Sequence, residues 1–389
     1  MTHRSAMLVL SGFVTAVFVA GATMVAIYPS LEPAARSGPR VAQPQAPAPL
    51  LDFLNIAADE PAVELFAPIA QADLPAVRGE AIKTTDYTIS GPHTHNNLTV
   101  FLIHGGETMK KTNVVTLQEA IEQNVAVVHE TGMGQLFIDN RGNAPLFIQA
   151  GDIVKGGTQD RTLPFDMLVL ANTTRNPLAA LCVEQGRSFP RGNEVSTSFG
   201  SATEQLPNRK LKLAAAKRSQ AEVWQQVQAL QNDLTRNVGA PVQANLSRTS
   251  LQLTLENPLL QQQVHQSLAK LAAVVEGQAD VIGFAVAING KVHSADVYGS
   301  NALFVKLWPK LIRASAVEAV AERQPGAVAV TLDADSVMTF LAAAEQGQAM
   351  RAGANGTTVI RHDTANHLLL ETCNPGDRKV VLHRSFLAK

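Results

Sequence analysis

Apolar and polar residues alternate in a series of short stretches, each bounded by turn-forming residues, and this period is typical of β-strands. The clearest pair is Val281–Ile288 and Lys291–Val297, because the intervening Asn289-Gly290 suits the tight turn that matches strand twist. A second hairpin is predicted from Gln135–Asp139 and Pro145–Gln149. Further strands are predicted at 98–104, 125–129, 166–170, 178–183, 357–361, 367–373 and 380–385. The pattern therefore predicts mixed or antiparallel sheets.

A second pattern, with apolar residues three and four positions apart, predicts amphipathic helices between these strands. Capping boxes at 116–119 and 219–222 mark two helix starts, and Asn257-Pro258 marks a third. A fourth helix is predicted from Asn301 to Ala321. Because runs of strands are mixed with blocks of helices, the predicted fold class is α+β rather than a regular alternation of strand and helix.

The N-terminal residues 6–28 form an apolar run without a charged side chain. A helix of that length can cross a hydrocarbon core of about 30 Å, which predicts a transmembrane signal anchor. Ala20-Gly21-Ala22 offers the alternative of a signal peptide that is cleaved after export. We therefore expect a single-pass inner-membrane protein with its globular domain in the periplasm, or alternatively a secreted protein.

The composition changes after this run. Residues 29–50 are rich in Pro and Ala and are interpreted as a linker to the globular part. The chain carries 32 Lys and Arg against 33 Asp and Glu, without a basic tract. This balance argues against a nucleic-acid partner, whereas a membrane partner is expected through 6–28. The two cysteines, Cys182 and Cys373, would suffice for one disulfide, and whether they pair stays open.

Two glycine-bearing polar segments, 151–161 and 182–187, concentrate charged and amide side chains between predicted strands. Glycines let a backbone approach a ligand closely, and consecutive amides in a turn can bind an anion. Arginines, here including Arg191, can hold phosphate or carboxylate through two parallel hydrogen bonds. The predicted ligand-binding residues are Asp152, Lys155, Gly156, Gly157, Gln159, Asp160, Arg161, Glu184, Gln185 and Arg187. A solvated hairpin loop remains the alternative for the first segment.

Three residues of these segments are candidate catalytic groups: Asp160, Glu184 and Cys182. A carboxylate can act as a general base and a thiol as a nucleophile. Cys182 and Glu184 share one face of a strand, however, so the carboxylate would raise the thiol pKa and oppose the second role. The spacing of the carboxylates does not demand a metal ion, and no Cys-x-x-Cys pair is present. No metal is therefore predicted, and no cofactor is identified.

Three separated blocks resemble, in the same order, a domain family called ARG and rhodanese-phosphatase-superfamily-associated protein. The blocks are 151–161, 182–187 and 283–311, and they begin Gly-Asp-Ile-Val-Lys-Gly-Gly, Cys-Val-Glu-Gln-Gly-Arg and Gly-Phe-Ala-Val-Ala-Ile. The resemblance covers 90–320 and implies one α+β domain, onto which 321–389 would pack as C-terminal strands. Ser188 stands where members usually have an aromatic residue, which puts a stacking role there in doubt.

The family name implies association with ADP-ribosylglycohydrolases and rhodanese-like phosphatases but fixes no reaction. With the residues above, it leads us to expect an extracytoplasmic, membrane-tethered domain that binds an anionic small molecule containing phosphate or ribose. One alternative is a hydrolase acting on a nucleotide-like or ADP-ribose-like substrate, with Asp160 or Glu184 as base. The other is a structural or protein-interaction domain, in which the same residues form a buried polar network.

Overall fold

The computed structural model describes residues 82–109, 113–131, 134–191, 194, 198–324, 326, 332–354, 356–375 and 377–389. The predicted membrane or signal segment at 6–28 and the predicted linker at 29–50 lie outside these residues. Within the described ranges, the longest apolar helices are still too short or too polar to span a bilayer.

The described chain contains eighteen strands, numbered here in chain order. They are β1 Thr88–His95, β2 Leu98–His104, β3 Val115–Thr116, β4 Ala126–Glu130, β5 Leu136–Asn140, β6 Leu146–Ile148, β7 Asp152–Gly156, β8 Arg161–Thr162, β9 Met167–Val169, β10 Thr173–Leu178, β11 Leu181–Cys182, β12 Phe199–Gln205, β13 Val281–Ile288, β14 Lys291–Tyr298, β15 Gln348–Ala354, β16 Thr357–Asp363, β17 His367–Asn374 and β18 Asp377–Ala388.

Seven α-helices accompany these strands in the described ranges. They are α1 Leu117–Glu122, α2 Arg209–Ala216, α3 Gln220–Val238, α4 Leu251–Leu255, α5 Pro258–Leu271, α6 Asn301–Ala321 and α7 Ala334–Glu345. Their starts follow local chemistry, since the side chains of Thr116, Ser219, Asn257 and Ser300 each accept a hydrogen bond from the first turn of the helix that follows.

An eight-stranded antiparallel sheet with the order β1-β2-β13-β14-β18-β17-β16-β15 forms the centre of the domain. Alternate residues of its strands point to opposite faces. On one face, Val100 and Phe284 belong to a core shared with α3, α5 and α6. On the other, Phe101 and Ala285 pack with residues of α7. Because both faces are covered, all eight residues of β13 are buried.

A seven-stranded antiparallel sheet and a small three-stranded sheet carry the rest of the chain. The first has the order β10-β5-β4-β12-β7-β8-β11 and the second has the order β3-β6-β9, with β3 and β6 parallel. Both contribute, with α1, to a second core that contains Val128, Ile148 and Val154. The predicted α+β class is confirmed, with almost entirely antiparallel pairing in these sheets.

Local sequence signals predicted the helices and one hairpin well. The fourth predicted helix has the bounds of α6, and Asn289 and Gly290 adopt the positive φ values of 50° and 72° that the β13–β14 turn requires. The predicted hairpin between 135–139 and 145–149 is wrong, because β5 and β6 belong to different sheets. The chain passes from one sheet to the other after β5, and Asn140 stabilises this passage. Its buried amide donates to the carbonyls of Ala144 at 2.9 Å and of Val169 at 3.1 Å.

Candidate functional site

The two predicted polar segments come together in the seven-stranded sheet. Strand β7 pairs with β8, and β8 pairs with β11, so that Cys182 lies opposite Arg161. The connection from β7 to β8 therefore meets the chain that follows β11. The charged side chains of 151–161 and 182–187 are therefore close enough to contact one another.

Asp160 is fully buried and lies at the centre of this junction. Its Oδ1 accepts hydrogen bonds from the Gly156 N–H at 2.9 Å, from Arg191 at 2.8 Å and from Arg187 at 3.4 Å. Arg187 Nε also donates to Glu184 at 2.6 Å. We call Asp160, Glu184, Arg187 and Arg191, with Glu194 at their edge, the arginine network.

The donors of both arginines in this network are engaged by the protein itself. Arg187 donates further to the carbonyls of Gly157 at 3.1 Å and Phe189 at 2.8 Å. Arg191 donates to Glu194 at 2.9 Å and to the Ser250 hydroxyl at 2.9 Å. These two side chains are 5% and 3% exposed. A ligand anion would have to displace buried carboxylates to reach either guanidinium, so the arrangement favours a structural role for both.

The electrostatics of the network fit that role. Burial raises the pKa of Asp160 above its ordinary value, against the opposing effect of Arg191. Burial acts on Glu194 in the same sense, but its hydrogen bonds with Arg191 outweigh it and hold the pKa of Glu194 below its usual range. The carboxylates thus serve as partners for the arginines rather than as free bases.

The guanidinium of Arg161 is likewise hydrogen-bonded within the protein, to residues outside the arginine network. Its guanidinium donates to Glu130 at 3.0 Å and to the Gln159 side chain at 3.1 Å. Glu130 is held in place by the backbone N–H and the hydroxyl of Thr158. Glu130 lies on β4, and its part in this site was not predicted from the sequence.

The remaining residues of the first segment have local partners. Lys155 pairs with Glu256 at 2.6 Å, and Asp152 pairs with Lys310 at 3.0 Å. Gly157 has a φ of +56°, and a Cβ added there would lie 2.2 Å from the Phe199 ring. Position 157 therefore favours glycine, because a side chain there would overlap the Phe199 ring.

The environment of Cys182 disfavours a thiolate. Burial raises the pKa of its thiol, and Glu130 adds to this effect while Arg161 opposes it. Cys182 and Cys373 are both free, and they lie in different sheets. Members of the family that the sequence resembles usually have an aromatic residue where this chain has Ser188. Here the aromatic side chain of Phe189 follows one position later in the sequence and is 68% exposed.

Among the predicted ligand-binding residues, Gln185 lines a large cavity in the described part of the chain. The cavity has a volume of about 590 Å³, within the range of small-molecule sites. We call it the amide groove because six of its lining side chains are amides. Its lining residues are Gln185, Trp224, Val227, Gln228, Gln231, Asn232, Pro241, Gln243, Asn245, Arg248 and Thr249.

One face of α3 and the segment after it form the walls of the amide groove. Trp224, Gln228 and Gln231 recur at helical spacing, and this polar stripe beside the apolar one is the sequence signal that could have identified the groove. The Gln231 amide donates to the carbonyl of Arg248 at 2.9 Å, and the Thr249 hydroxyl donates to the carbonyl of Gln185 at 2.7 Å. The opposite wall is thereby fixed to α3 and to the second polar segment.

The arginine network supports the groove from below. Ser250, which follows the groove residue Thr249, receives a hydrogen bond from Arg191 and caps α4. Glu184 directly precedes the groove residue Gln185. The arginine network is therefore placed next to the cavity, while Arg248 is the one charged side chain that lines it.

A second buried network, not predicted from the sequence, joins the sheets through His383. This imidazole lies 2.9 Å from Asp166 and 3.1 Å from Asp296, and it stacks on Tyr298 with ring centroids 4.5 Å apart. Burial would lower the pKa of His383, but the two aspartates outweigh it and raise that pKa to about 9. Asp296 also lies 3.5 Å from Lys212. We call these groups the histidine network.

One cluster has ligand types suited to a metal ion: His293, Glu318 and Glu322. A guanidinium already occupies its centre, since Arg209 lies 3.0 Å from His293, 3.4 Å from Glu318 and 2.8 Å from Glu322. Arg209 supplies the positive charge that a cation would bring, so the cluster is explained without one.

Comparison with known proteins assigns the chain to a family. Residues 86–387 match the model of a protein family, the ARG and Rhodanese-Phosphatase-superfamily-associated Protein domain. The chain belongs to this family. The matched range includes both polar segments, the amide groove and the histidine network, and it ends at residue 387 within β18. No match was found among curated proteins or among solved structures.

Proposed function

We propose that this family domain is a ligand-binding domain, and that the amide groove takes a small molecule with one anionic group and several hydroxyl or amide groups. The observation that carries the proposal is a cavity of about 590 Å³ whose polar lining consists of six amides, one threonine and one arginine. The volume suits a phosphorylated sugar or a nucleotide.

The lining defines the charge of that ligand. Amide side chains offer both donors and acceptors, which suits hydroxyl groups and the edges of a base. Arg248 can hold one phosphate or carboxylate, and no lining carboxylate among the described residues opposes it. A phosphate-containing or ribose-containing molecule fulfils these requirements. Trp224 adds an aromatic surface on which a sugar ring or a base can pack.

Binding is favoured over hydrolysis by the state of the candidate catalytic groups. Asp160 and Glu184 are fully buried and paired with arginines, and neither lines the amide groove. The arginine network instead supports the alternative of a structural role for these residues. It stabilises the walls of the site that the ligand occupies.

The test is a calorimetric titration of the protein with nucleoside monophosphates, ribose 5-phosphate and ADP-ribose, alongside neutral nucleosides and inorganic phosphate. Arg248→Gln should weaken binding of the phosphorylated ligands about tenfold or more, since a charge-assisted hydrogen bond contributes about 1.5–3 kcal/mol. Arg236→Gln is the matched control, because Arg236 is an exposed arginine on α3 that pairs with Asp233. Equal affinity of wild type and Arg248→Gln, or no binding at millimolar concentrations, would reject the proposal. Product formation would instead support a hydrolase.

We further propose that residues 6–28 tether the domain to the inner membrane with the domain in the periplasm. The uncharged run of these residues supports this placement. After an alkaline wash of isolated membranes, the intact chain should stay in the pellet and a variant without 6–28 should not. A mature N-terminus directly after Ala22 would show the secreted form instead.

A further inference from the structure

A second cavity lies apart from the amide groove, between α1 and α6. It has a volume of about 170 Å³. Since a water molecule occupies about 30 Å³ in the liquid, this space suits an organic molecule of roughly six to ten non-hydrogen atoms. Leu117, Leu307 and Pro309 give it apolar walls. We call it the lysine cavity after the residue at its base.

The base of the lysine cavity is a buried ion pair. Lys310 and Asp152 are 5% and 2% exposed, and Lys310 Nζ lies 3.0 Å from Asp152 Oδ1. The other oxygen of Asp152 accepts the N–H of Gln149. An ammonium group has three donors, and among the described residues Asp152 is the one acceptor that Lys310 contacts. Because unsatisfied buried donors are costly, the base of the cavity favours a ligand with an acceptor group such as a carboxylate.

The rim of the lysine cavity, in contrast to its base, favours a positively charged group. Glu119 is occupied, since its Oε2 accepts from Thr116 and from Lys306. Glu122 is exposed, and one of its oxygens accepts a hydrogen bond from the Gln118 amide. The cavity is lined by three carboxylates and two ammonium groups, so its net charge is negative. A simple anion would be repelled, whereas a ligand that places its own ammonium group beside Glu122 would not.

We propose that the lysine cavity binds a small zwitterion, an aliphatic amino acid, with its carboxylate toward Lys310 and its ammonium group toward Glu122. The apolar walls then receive the aliphatic side chain. The site is separate from the amide groove and shares no lining residue with it.

The test is a calorimetric titration of the full chain with L-valine and with its two halves, 3-methylbutanoate and 2-methylpropylamine. L-valine should bind at least tenfold more tightly than either half. Glu122→Gln keeps the hydrogen bond from Gln118. It should weaken binding of L-valine at least fivefold and should not weaken binding of 3-methylbutanoate, because it removes a charge that repels the anion. Glu276→Gln, an exposed glutamate away from the cavity, is the matched control and should change nothing.

The double variant Asp152→Asn with Lys310→Met removes the buried ion pair without leaving a single charge behind, and it should abolish L-valine binding. Three results would overturn the proposal. They are the absence of L-valine binding at millimolar concentration, equal binding of L-valine and 2-methylpropylamine, and an unchanged affinity for L-valine in Glu122→Gln.

Discussion

Replacement of His383 by glutamine should destabilise the domain in a way that depends on pH. The variant leaves Asp166 and Asp296 buried without the cation that lies between them. Despite burial, the positively charged His383 holds the pKa of Asp166 below the ordinary range of a carboxyl. Lys212 and His383 together do the same for the pKa of Asp296. Removing one partner of a buried ion pair costs about 3–5 kcal/mol in other proteins.

The pKa of His383 gives an independent magnitude. It rises from 6.5 to about 9, and each unit corresponds to about 1.4 kcal/mol, so the protonated imidazole contributes about 3 kcal/mol. Because the folded-state pKa is raised, this contribution is fully present below pH 6.5 and is lost as the pH rises through about 9. The wild type should therefore lose stability over this interval, and His383→Gln should lack that part of the dependence.

Urea unfolding followed by tryptophan fluorescence at several pH values between 6 and 10 measures both effects. At pH 6, His383→Gln should unfold with a free energy about 3 kcal/mol lower than that of the wild type, and the difference should shrink toward pH 10. His265→Gln is the matched control, since His265 is exposed on α5. A difference below about 1 kcal/mol at pH 6, or one that is constant with pH, would refute the charge assigned to His383.

Three other predictions concern the polar segments and the arginine network. Gly157→Ala should lower the free energy of unfolding by at least 1–3 kcal/mol, as measured in urea, because the added Cβ would overlap the Phe199 ring; Gly186→Ala, which has positive φ but no neighbour within 4 Å, separates backbone strain from this overlap. Arg191→Ala should cost about 3–5 kcal/mol by leaving Asp160 underneutralised, and an unchanged melting temperature would argue against the buried ion pair. Cys182 should react with iodoacetamide much more slowly in the folded protein at pH 8 than in urea, because burial raises its pKa; equal rates would contradict this.

The sequence predicted those features that depend on neighbours along the chain. Thr116, Ser219 and Asn257 cap helices because the donors that they satisfy are two or three residues away. Asn289-Gly290 predicted its hairpin for the same reason. The change of sheet after β5 was missed because the Asn140 amide, besides the nearby Ala144 carbonyl, donates to the carbonyls of Val169 and Leu170, which lie 29 and 30 residues later. No local pattern shows those two contacts.

In the candidate site, too, only part of the arrangement could be predicted from the sequence. The antiparallel pairing of β7, β8 and β11 brings the two polar segments side by side. That their charged residues bind a ligand stays a prediction. Their partners could not be read from the sequence. Glu130 is 31 positions from Arg161, and the aspartates of the histidine network are 217 and 87 positions from His383.

The order of strands in the eight-stranded sheet has a consequence for synthesis of the protein on the ribosome. Strand β2 can pair with β1 at once, but its other neighbour is β13. At about 5–20 residues per second, the interval between His104 and Val281 takes roughly 10–35 s. Throughout that time β2, whose central side chains are all apolar and finally buried, presents an unpaired edge. The nascent chain should therefore depend on a chaperone until β13 emerges, and pulse-labelled chains halted before residue 281 should be the ones that aggregate.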